Sequence, residues 1–291
     1  MTSIKVGFCV AYDWYLLRYA IPAVYHQADT IVISIDRLHK TWAGEQYEFD
    51  EQAFNQFIRA LDVNQKIELY VDDFYNPDLP ASENEVHQRQ KLSEAMGAGG
   101  WHIQLDCDEY FLQFAEFVKY LKSLPNTHKP FNVCCPLMTI FKEVAGGYLG
   151  VQPNDARQIE FIQIASQSPQ YLYGRRNGHF NVYSNFLILH QSWARSEQEL
   201  NQKIANWGHN RDFNPIAFID FWKSLNSNNY KSAKNFHPLV PSLWAALEFY
   251  RAPNMNELIK NFPQANFPKL SAWQLRIKNS RLLAKLRALL K

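Results

Sequence analysis

Three acidic side chains stand close together in the sequence and could hold a divalent cation. Asp106, Asp108 and Glu109 follow a mostly apolar run, residues 101–105, whose alternation predicts a buried strand. Apolar residues then recur at helical spacing until Pro125, which predicts a helix behind the acids. In open α/β sheets ligands bind outside the carboxyl ends of strands, where paired carboxylates can hold Mg²⁺ or Mn²⁺ with substrate phosphates. The alternative is an ordinary helix N-cap in a short, common pattern.

The elements that would position these acids alternate between strand and helix. Residues 4–11 and 30–36 are apolar runs of strand length, and residues 16–25 between them have a helical pattern. A further helix and strand follow at 51–60 and 67–73. This order of elements is typical of a doubly wound α/β sheet.

Two acids near the first strands are candidates for nucleotide contacts. Asp13 lies in the loop after the first strand, and Asp36 ends the second one. An acid at the end of a strand can bind a ribose hydroxyl or a base N–H. For Asp36 the alternative is a turn-forming residue before Arg37.

A polar helix is predicted directly before the carboxylate strand. It covers residues 83–96, begins with a capping box between Ser82 and Glu85, and carries Arg89. A polar helix is by default solvated. Because this one leads into the carboxylate strand through a glycine-rich turn, its side chains could instead face the same cleft.

A second helix with a cation follows a strand-like run, residues 182–190, that ends at His190. Ser196 opens this helix with a capping box, Lys203 lies at the edge of its apolar face, and Gly208 ends it. A lone His or Lys in such a position is most often structural, and a role in binding is the alternative.

Composition excludes several classes of protein. The chain has 291 residues, of which 47% are hydrophobic, enough for one large domain with a complete core. A net charge of +2 does not suit a nucleic-acid-binding protein. The four cysteines lack ligand spacing, which predicts reduced, buried thiols. Because the first residues enter a strand pattern without an apolar leader, and no apolar run is long enough to span a membrane, we expect a cytoplasmic protein.

The alternation of helix and strand stops after residue 225. We therefore predict a catalytic domain over residues 1–225 and a helical extension over residues 226–291, with a short helix at 244–247. Residues 272–291 are predicted to form one amphipathic helix with a leucine face and six basic residues. Such a helix is typical of peripheral attachment to anionic lipid, here at the inner face of the cytoplasmic membrane. The alternative is a helix docked on its own domain or on a partner.

In this order the motifs resemble those of the GT-A glycosyltransferases, close to the family 2 type. The likeness covers about residues 1–225, and the chain shows no clear match to the acidic pair where many inverting members place their base. Three local matches carry it: the first strand, helix and strand with Asp13 and Asp36; the helix with Arg89 that leads into Asp106-Cys107-Asp108-Glu109; and the segment from His190 to Ser196 with Lys203 and Trp207-Gly208-His209.

The resemblance implies a GT-A fold, which is a Rossmann-like mixed α/β sheet flanked by helices. It also implies a metal-dependent, inverting transfer of a sugar from a nucleotide-diphosphate donor, with UDP-sugars favoured. The acceptor would be a glycan or a lipid-linked molecule, as in the synthesis of bacterial surface polysaccharides.

Site residues follow from the resemblance by role, because the leaving diphosphate must be neutralised and the acceptor hydroxyl must lose a proton. The metal, Mn²⁺ or Mg²⁺, would bind Asp106, Asp108 and His190. The donor would contact Asp13, Asp36, Arg89, Asp106 and Lys203. The candidates for the base, which the sequence does not separate, are Glu143, Asp155 and Glu160.

Two other functions remain open at this stage. A metal-dependent phosphotransferase or nucleotidyltransferase also uses paired carboxylates at a strand end. A haloacid dehalogenase-type phosphatase is disfavoured, because Glu109-Tyr110 stands where that family has a small residue and Thr or Val. The non-enzymatic alternative is a membrane-peripheral scaffold whose carboxylates only cap a helix.

Overall fold

The computed structural model describes residues 2–125, 127, 129–206 and 212–289, without the side chains of 287–289. The helix end predicted at Gly208, the neighbouring His209 and the last two residues lie outside these ranges. The strands are β1 (Ile4–Val10), β2 (Thr30–Asp36), β3 (Ile67–Asp72), β4 (Trp101–Asp106), β5 (Glu109–Phe111), β6 (Phe131–Val144), β7 (Gly147–Gln152), β8 (Glu160–Ser166), β9 (Phe180–Tyr183), β10 (Ile188–His190) and β11 (Ala246–Arg251). The helices are α1 (Leu17–Tyr25), α2 (Glu51–Leu61), α3 (Ala81–Ala95), α4 (Phe114–Ser123), α5 (Glu197–Asn206), α6 (Pro215–Ser224), α7 (Met255–Asn261), α8 (Ala272–Lys278) and α9 (Arg281–Leu289).

The strands form one mixed sheet in the order β11-β7-β6-β8-β4-β1-β2-β3. The four strands β4, β1, β2 and β3 are parallel, whereas β8, β6, β7 and β11 are antiparallel to their neighbours. The short strands β9 and β10 pair with β6, and β10 also pairs with β5. Helix α3 packs on β1 and β2, and α1 packs on β5 and α4. The predicted mixed α/β sheet flanked by helices is confirmed.

The sequences of the central strands explain their place in the sheet. β1 and β2 are buried almost throughout, as uninterrupted apolar strands covered on both faces must be. β4 buries polar residues as well, and Gln104 donates a hydrogen bond of 2.8 Å to the backbone oxygen of Arg89. This bond fixes α3 to the strand that carries Asp106, so the polar helix faces the carboxylates rather than solvent.

The segment after residue 225 contributes to the sheet and to a second aromatic core. β11 is the outermost strand and pairs with β7. Trp244, which precedes β11, packs in one cluster with Phe141, Trp193 and Trp222. The division predicted at residue 225 therefore matches no break in the sheet, and the short helix predicted at 244–247 is wrong because these residues lead into β11.

The two predicted capping boxes have different outcomes. The box at Ser82 is wrong, because Pro80 is the N-cap of α3 and Glu85 lies within the helix. The box at the start of α5 is confirmed. There the Ser196 N–H donates to Glu199 Oε2 over 2.8 Å, and the Glu199 N–H donates to Ser196 Oγ over 3.3 Å.

The C-terminal basic segment forms two helices, α8 and α9, where one was predicted. They separate at Asn279, whose side chain accepts a hydrogen bond from the Tyr183 N–H (2.7 Å) and donates one to the Tyr183 carbonyl (2.9 Å). Asn279 thus occupies the edge of β9 and fixes the end of α8. On α9, Leu282 and Leu286 are 69% and 48% exposed. No helix in the described ranges combines the length and the apolar composition that crossing a bilayer requires.

Candidate active site

A cavity of about 480 Å³ opens at the carboxyl ends of the parallel strands. It is lined by side chains from the ends of β1, β4 and β10, from the interior of β6, from the start of β8, from α3 and α5, and from the loop 40–42. His237 and Trp244 complete the lining from the C-terminal segment. Both the position and the size, within the roughly 300–1,000 Å³ typical of ligand pockets, mark it as the candidate active site.

Asp106 ends β4 and is held by a cation from α3. Arg89, whose side chain is 2% exposed, donates to Asp106 Oδ1 over 2.8 Å and to Glu85 Oε1 over 2.9 Å. Its Nη1 atom is buried without a hydrogen-bond partner among the described residues. Burial would raise the pKa of Asp106, but Arg89 and Arg175 outweigh it and lower that pKa. Arg89 therefore stands at the carboxylates, as predicted, and already serves them as an ion-pair partner.

Asp108 lies at the centre of a buried charge cluster. Its Oδ2 atom accepts hydrogen bonds from Arg195 (2.6 Å) and Lys203 (3.1 Å), and its Oδ1 atom lies 3.5 Å from His190 Nε2. Burial alone would raise the pKa of Asp108, but Lys203, His190 and Arg195 hold it well below its usual range. The structure thus brings together three residues that the sequence analysis selected from distant segments.

Arg195 is a site residue that the sequence analysis missed. The Arg195 side chain is 2% exposed and lies between Asp108 and Asp13. It forms an ion pair of 2.8 Å with Asp13. Asp13 also accepts a hydrogen bond of 3.1 Å from the Cys107 thiol. Asp13 therefore lines the cavity as part of the buried charge network. The sequence placed Arg195 in the segment from His190 to Ser196 that resembles GT-A enzymes, just before the capping box of α5, but gave it no role.

A second missed residue is Arg175, which binds the third acid of the cluster. Both of its terminal nitrogens donate to Glu109 over 2.6 Å, and Nη1 also donates to the Gln104 carbonyl over 3.0 Å. Glu109 is 1% exposed, so the ion pair is buried. The bridge fixes the loop between β8 and β9 and brings its Tyr173 to the cavity lining. Glu109 is thus structural, and no sequence pattern indicated a role for Arg175.

Two side chains of the charge cluster could supply ligands to a divalent cation that also binds a phosphate. Asp108 Oδ1 and His190 Nε2 form a long ion pair of 3.5 Å, and the distance from Asp106 Oδ2 to Arg175 is 3.9 Å. Within the described ranges, no group of three or more His, Cys, Asp or Glu side chains could hold a metal ion. Mg²⁺ is commonly held by one or two carboxylates and by the phosphates of its substrate. A partial set of protein ligands suits that arrangement.

Asp36 lies outside the cavity lining and organises two loops. Oδ1 accepts hydrogen bonds of 3.0 Å from the N–H groups of Leu38 and Lys40, and Oδ2 accepts bonds of 2.9 and 3.0 Å from those of Phe74 and Tyr75. These four bonds occupy both carboxylate oxygens. The structure therefore gives Asp36 a backbone-binding role where a donor contact was predicted.

The structure separates the three base candidates. Glu160 lines the cavity at the start of β8. Glu143 is exposed near the β6–β7 turn, and Asp155 pairs with Arg157 at 2.7 Å on the surface. Neither Glu143 nor Asp155 belongs to the cavity lining.

The surroundings of Glu160 raise the pKa of its carboxyl group. Glu160 pairs with Leu137 of the neighbouring strand β6. Thr139 follows two residues later on β6 and pairs with His190 of β10. Burial raises the pKa of Glu160 and Glu109 raises it further, while His190 counteracts them. No hydrogen bond or ion pair joins the Glu160 carboxylate to the described residues. A half-buried acid without a partner and with a raised pKa suits a general base.

The two ends of the cavity differ in charge. The ion-paired end comprises Asp13, Arg89, Asp106, Asp108 and Lys203. The neutral end comprises Thr139, Ser192, His237 and Trp244. Glu160 connects the two sets, because it lines a small adjoining cavity with Thr139 and Trp244 and interacts electrostatically with His190, the neighbour of Asp108.

At the neutral end the polar groups lack protein partners. Thr139, Ser192 and Trp244 are buried, and their side chains form no hydrogen bond with any described residue. His237 Nδ1 accepts from two backbone N–H groups, 2.9 and 3.1 Å away, so the neutral ring carries its proton on Nε2. Burial lowers the pKa of His237 to about 4, which keeps the ring neutral at physiological pH.

Comparisons with known proteins give structural likeness only. No family model and no curated protein matches the chain. Among solved structures, it is similar to GalNAc-T7, crystallised with UDP, GalNAc and Mn²⁺, at 10% identity and a TM-score of 0.39, over 81% of this chain and 54% of that chain. It is also similar to S. aureus TarS at 8% identity and a TM-score of 0.36, over 79% of this chain and 74% of that chain. Both are GT-A glycosyltransferases, and the chain spans about half the length of the first. At such TM-scores neither likeness establishes a function.

Proposed function

We propose that the protein transfers a sugar from a nucleotide-diphosphate donor, a UDP-sugar being favoured, to a hydroxyl group of an acceptor. One observation carries the proposal. The buried carboxylates and cations of the ion-paired end share a cavity with Glu160, an acid without an ion-pair partner among the described residues and with a raised pKa. The first set of groups suits a leaving diphosphate, and the second suits the activation of a hydroxyl.

The side chains of the site match the charges that develop during such a transfer. The acceptor oxygen bonds to the anomeric carbon while the bond from that carbon to the diphosphate oxygen breaks. The electron pair leaves with the diphosphate, and the hydroxyl proton passes to Glu160. Arg89 and Lys203 place positive charge at the leaving phosphates. Mn²⁺ or Mg²⁺ held by Asp108 and His190 would act as a Lewis acid on the same phosphates. A base facing the anomeric carbon opposite the leaving group gives inversion.

Donor binding requires cations to change partners. Lys203 is 21% exposed and bonds to Asp108 over 3.1 Å, so a phosphate can compete for it. Arg195 is nearly inaccessible at 2% exposed, and it continues to compensate the charge of Asp108 when Lys203 turns to the ligand. We therefore assign Lys203 to the donor and Arg195 to the support of the carboxylates.

Product analysis of UDP-sugar turnover, with and without Mn²⁺, tests the proposed function. The protein is incubated with UDP-glucose, UDP-galactose and UDP-N-acetylglucosamine, and the nucleotide products are separated. Release of UDP that depends on Mn²⁺ and is stopped by EDTA is expected from at least one donor. Release of UMP with a sugar phosphate would instead indicate a phosphotransferase or nucleotidyltransferase. Absence of both turnover and donor binding would favour a scaffold.

We also propose that α9 attaches the protein peripherally to an anionic membrane surface, where a lipid-linked acceptor of bacterial surface polysaccharide synthesis would be found. Leu282 and Leu286 are exposed on α9, and Lys285 and Arg281 lie on the same helix. Each basic residue near an anionic surface contributes about 1 kcal/mol, and the leucines add apolar contact.

Co-sedimentation with liposomes tests this attachment. The double variant Leu282→Asp, Leu286→Asp should bind vesicles of anionic lipid more weakly than the unmodified protein. Ile216→Asp, an exposed apolar position on α6, is the matched control and should bind normally. Equal binding by all three proteins, or equal binding to neutral vesicles, would exclude the proposed attachment.

A further inference from the structure

The neutral end of the cavity contains several hydrogen-bonding groups that no protein group satisfies. Thr139, Ser192 and Trp244 are 4%, 5% and 5% exposed, and none of their side chains has a hydrogen-bond partner among the described residues. A buried indole N–H usually has a partner, and a buried polar group without one is costly. Since these side chains line the cavity, the missing partner is expected there.

These groups lie close to one another and to Glu160. Thr139, Glu160 and Trp244 line both the main cavity and a small adjoining one of about 10 Å³. The His237 ring contacts the Trp244 ring edge-on, with centroids 4.4 Å apart. One ligand can therefore contact Thr139, Trp244 and Glu160 together.

The side chains of the neutral end determine which hydrogen bonds it can donate and accept. His237 Nδ1 is occupied by the backbone, so Nε2 offers an N–H. Trp244 can only donate a hydrogen bond, and the hydroxyls of Thr139 and Ser192 can donate or accept one. The lysines and arginines that line the cavity within the described ranges are Lys40, Arg89 and Lys203, and none of them forms a hydrogen bond or an ion pair with Thr139, Ser192, His237 or Trp244. The neutral end thus suits several hydroxyl groups and does not suit a phosphate.

We propose that Thr139, His237 and Trp244 form a hydroxyl-binding subsite that orients an uncharged saccharide unit as the acceptor, with its reacting hydroxyl at Glu160. This inference rests on the proposed glycosyl transfer and names the acceptor class and the residues that select it. His237 and Trp244 come from the segment after residue 225, outside the part of the chain that resembles GT-A enzymes.

Saccharide binding without a donor tests the subsite independently of turnover. The probes are methyl glycosides of glucose, galactose and N-acetylglucosamine, followed by saturation-transfer NMR, with inorganic phosphate as a competitor. At least one glycoside should bind, and phosphate should not displace it. Failure of all three glycosides to bind, or displacement by phosphate, would overturn the subsite.

Conservative variants identify the groups that bind. Trp244→Phe keeps an aromatic ring and removes the N–H, and Thr139→Val keeps the shape and removes the hydroxyl. Each should weaken glycoside binding about fivefold, the size of one neutral hydrogen bond, and leave UDP affinity by calorimetry unchanged. Trp273→Phe, at an exposed tryptophan of α8, is the matched control and should change neither. Unchanged glycoside binding in both cavity variants would contradict the assignment.

Two substitutions at His237 separate ligand binding from loop support. His237→Asn retains an acceptor near the Nδ1 position for the two backbone N–H groups but removes the Nε2 donor. His237→Gln retains a donor near the Nε2 position. Only the Asn variant should lose glycoside affinity. Equal loss in both variants would show that His237 acts through the loop alone.

The outcomes also separate this inference from the proposed function. Glycoside binding without any UDP-sugar turnover would contradict glycosyl transfer and keep the saccharide subsite. Turnover with an acceptor KM that is the same in Trp244→Phe as in the unmodified protein would keep the transfer and remove the subsite.

Discussion

The two ends of the cavity are built in opposite ways. At the ion-paired end, Asp106 and Asp108 are already compensated by Arg89, Arg195 and Lys203, over 2.6 to 3.1 Å. At the neutral end, Thr139 and Trp244 are as buried as Asp108 but have no hydrogen-bond partner among the described residues.

This difference shows how the same degree of burial affects stability and binding. Charges cannot remain buried without partners, so the ion-paired end must be satisfied by the protein itself before a ligand arrives. A buried neutral group without a partner costs less free energy than a buried charge without one, so it can remain unpaired until a ligand binds. Substitutions of the fully buried charges at the ion-paired end should therefore affect folding first, whereas substitutions of the partly exposed Lys203 and of the neutral end should mainly affect binding.

Asp108→Ala should have the largest effect on stability. It removes the carboxylate that Arg195 and Lys203 share, and Arg195 is buried. Loss of one partner of a buried ion pair costs about 3–5 kcal/mol, and the free energy of unfolding from urea titration should fall by that amount. Thr139→Val at the neutral end is the control and should cost less than about 0.5 kcal/mol. Equal losses would contradict the contrast between the two ends.

Arg175→Met should cause the second-largest loss in the free energy of unfolding. It leaves Glu109 buried without either of its 2.6 Å hydrogen bonds to Arg175, at a cost of about 3 kcal/mol in the free energy of unfolding. The double variant Arg175→Met, Glu109→Leu should recover most of the loss, because the Glu109 charge is then no longer buried without a partner. A double variant less stable than the single one would show that the bridge stabilises the fold by more than charge compensation.

Lys203→Met should weaken UDP binding more than it weakens the fold. A hydrogen bond to a charged group contributes about 1.5–3 kcal/mol, so UDP affinity by calorimetry should fall roughly tenfold or more. The control is Lys223→Met on α6, which removes an exposed ion pair with Glu197 and should leave UDP affinity unchanged. Equal affinities for both variants would remove Lys203 from the donor site.

The pH dependence of stability should show a smaller effect with a defined sign. Despite burial, Lys203, His190 and Arg195 hold the pKa of Asp108 below its ordinary value of about 3.9. The stability that this carboxylate contributes is fully present above about pH 4 and is lost as the pH falls through the pKa of the folded state. In Asp108→Asn the slope of unfolding free energy below pH 4 should decrease by up to about 1.4 kcal/mol per pH unit. An unchanged slope would contradict the lowered pKa.

The sequence predicted the sheet and the charged centre better than the rest of the site. Uninterrupted apolar runs specify buried parallel strands such as β1 and β2, and the ends of such strands meet at one edge of the sheet. Asp108, His190 and Lys203 could therefore be brought together from their places relative to predicted elements.

The partners of these residues could not be predicted from local pattern. Arg175 and Arg195 come from irregular segments, where no periodicity shows which way a side chain points. His237 and Trp244 reach the cavity because β11 pairs with β7, a contact between segments about a hundred residues apart along the chain. A place in the cavity lining also distinguishes Glu160 from Glu143 and Asp155, and that place depends on the packed fold.

The central claim is that the two ends serve one reaction, with Glu160, which connects them, as the general base. Its most direct test is the turnover of a UDP-sugar in the presence of a saccharide acceptor by Glu160→Gln, with Glu143→Gln as the matched control. General bases typically contribute about 10²–10⁴-fold to rate, so kcat should fall at least about a hundredfold in Glu160→Gln, with UDP affinity unchanged. A kcat in Glu160→Gln equal to that of Glu143→Gln would contradict the account.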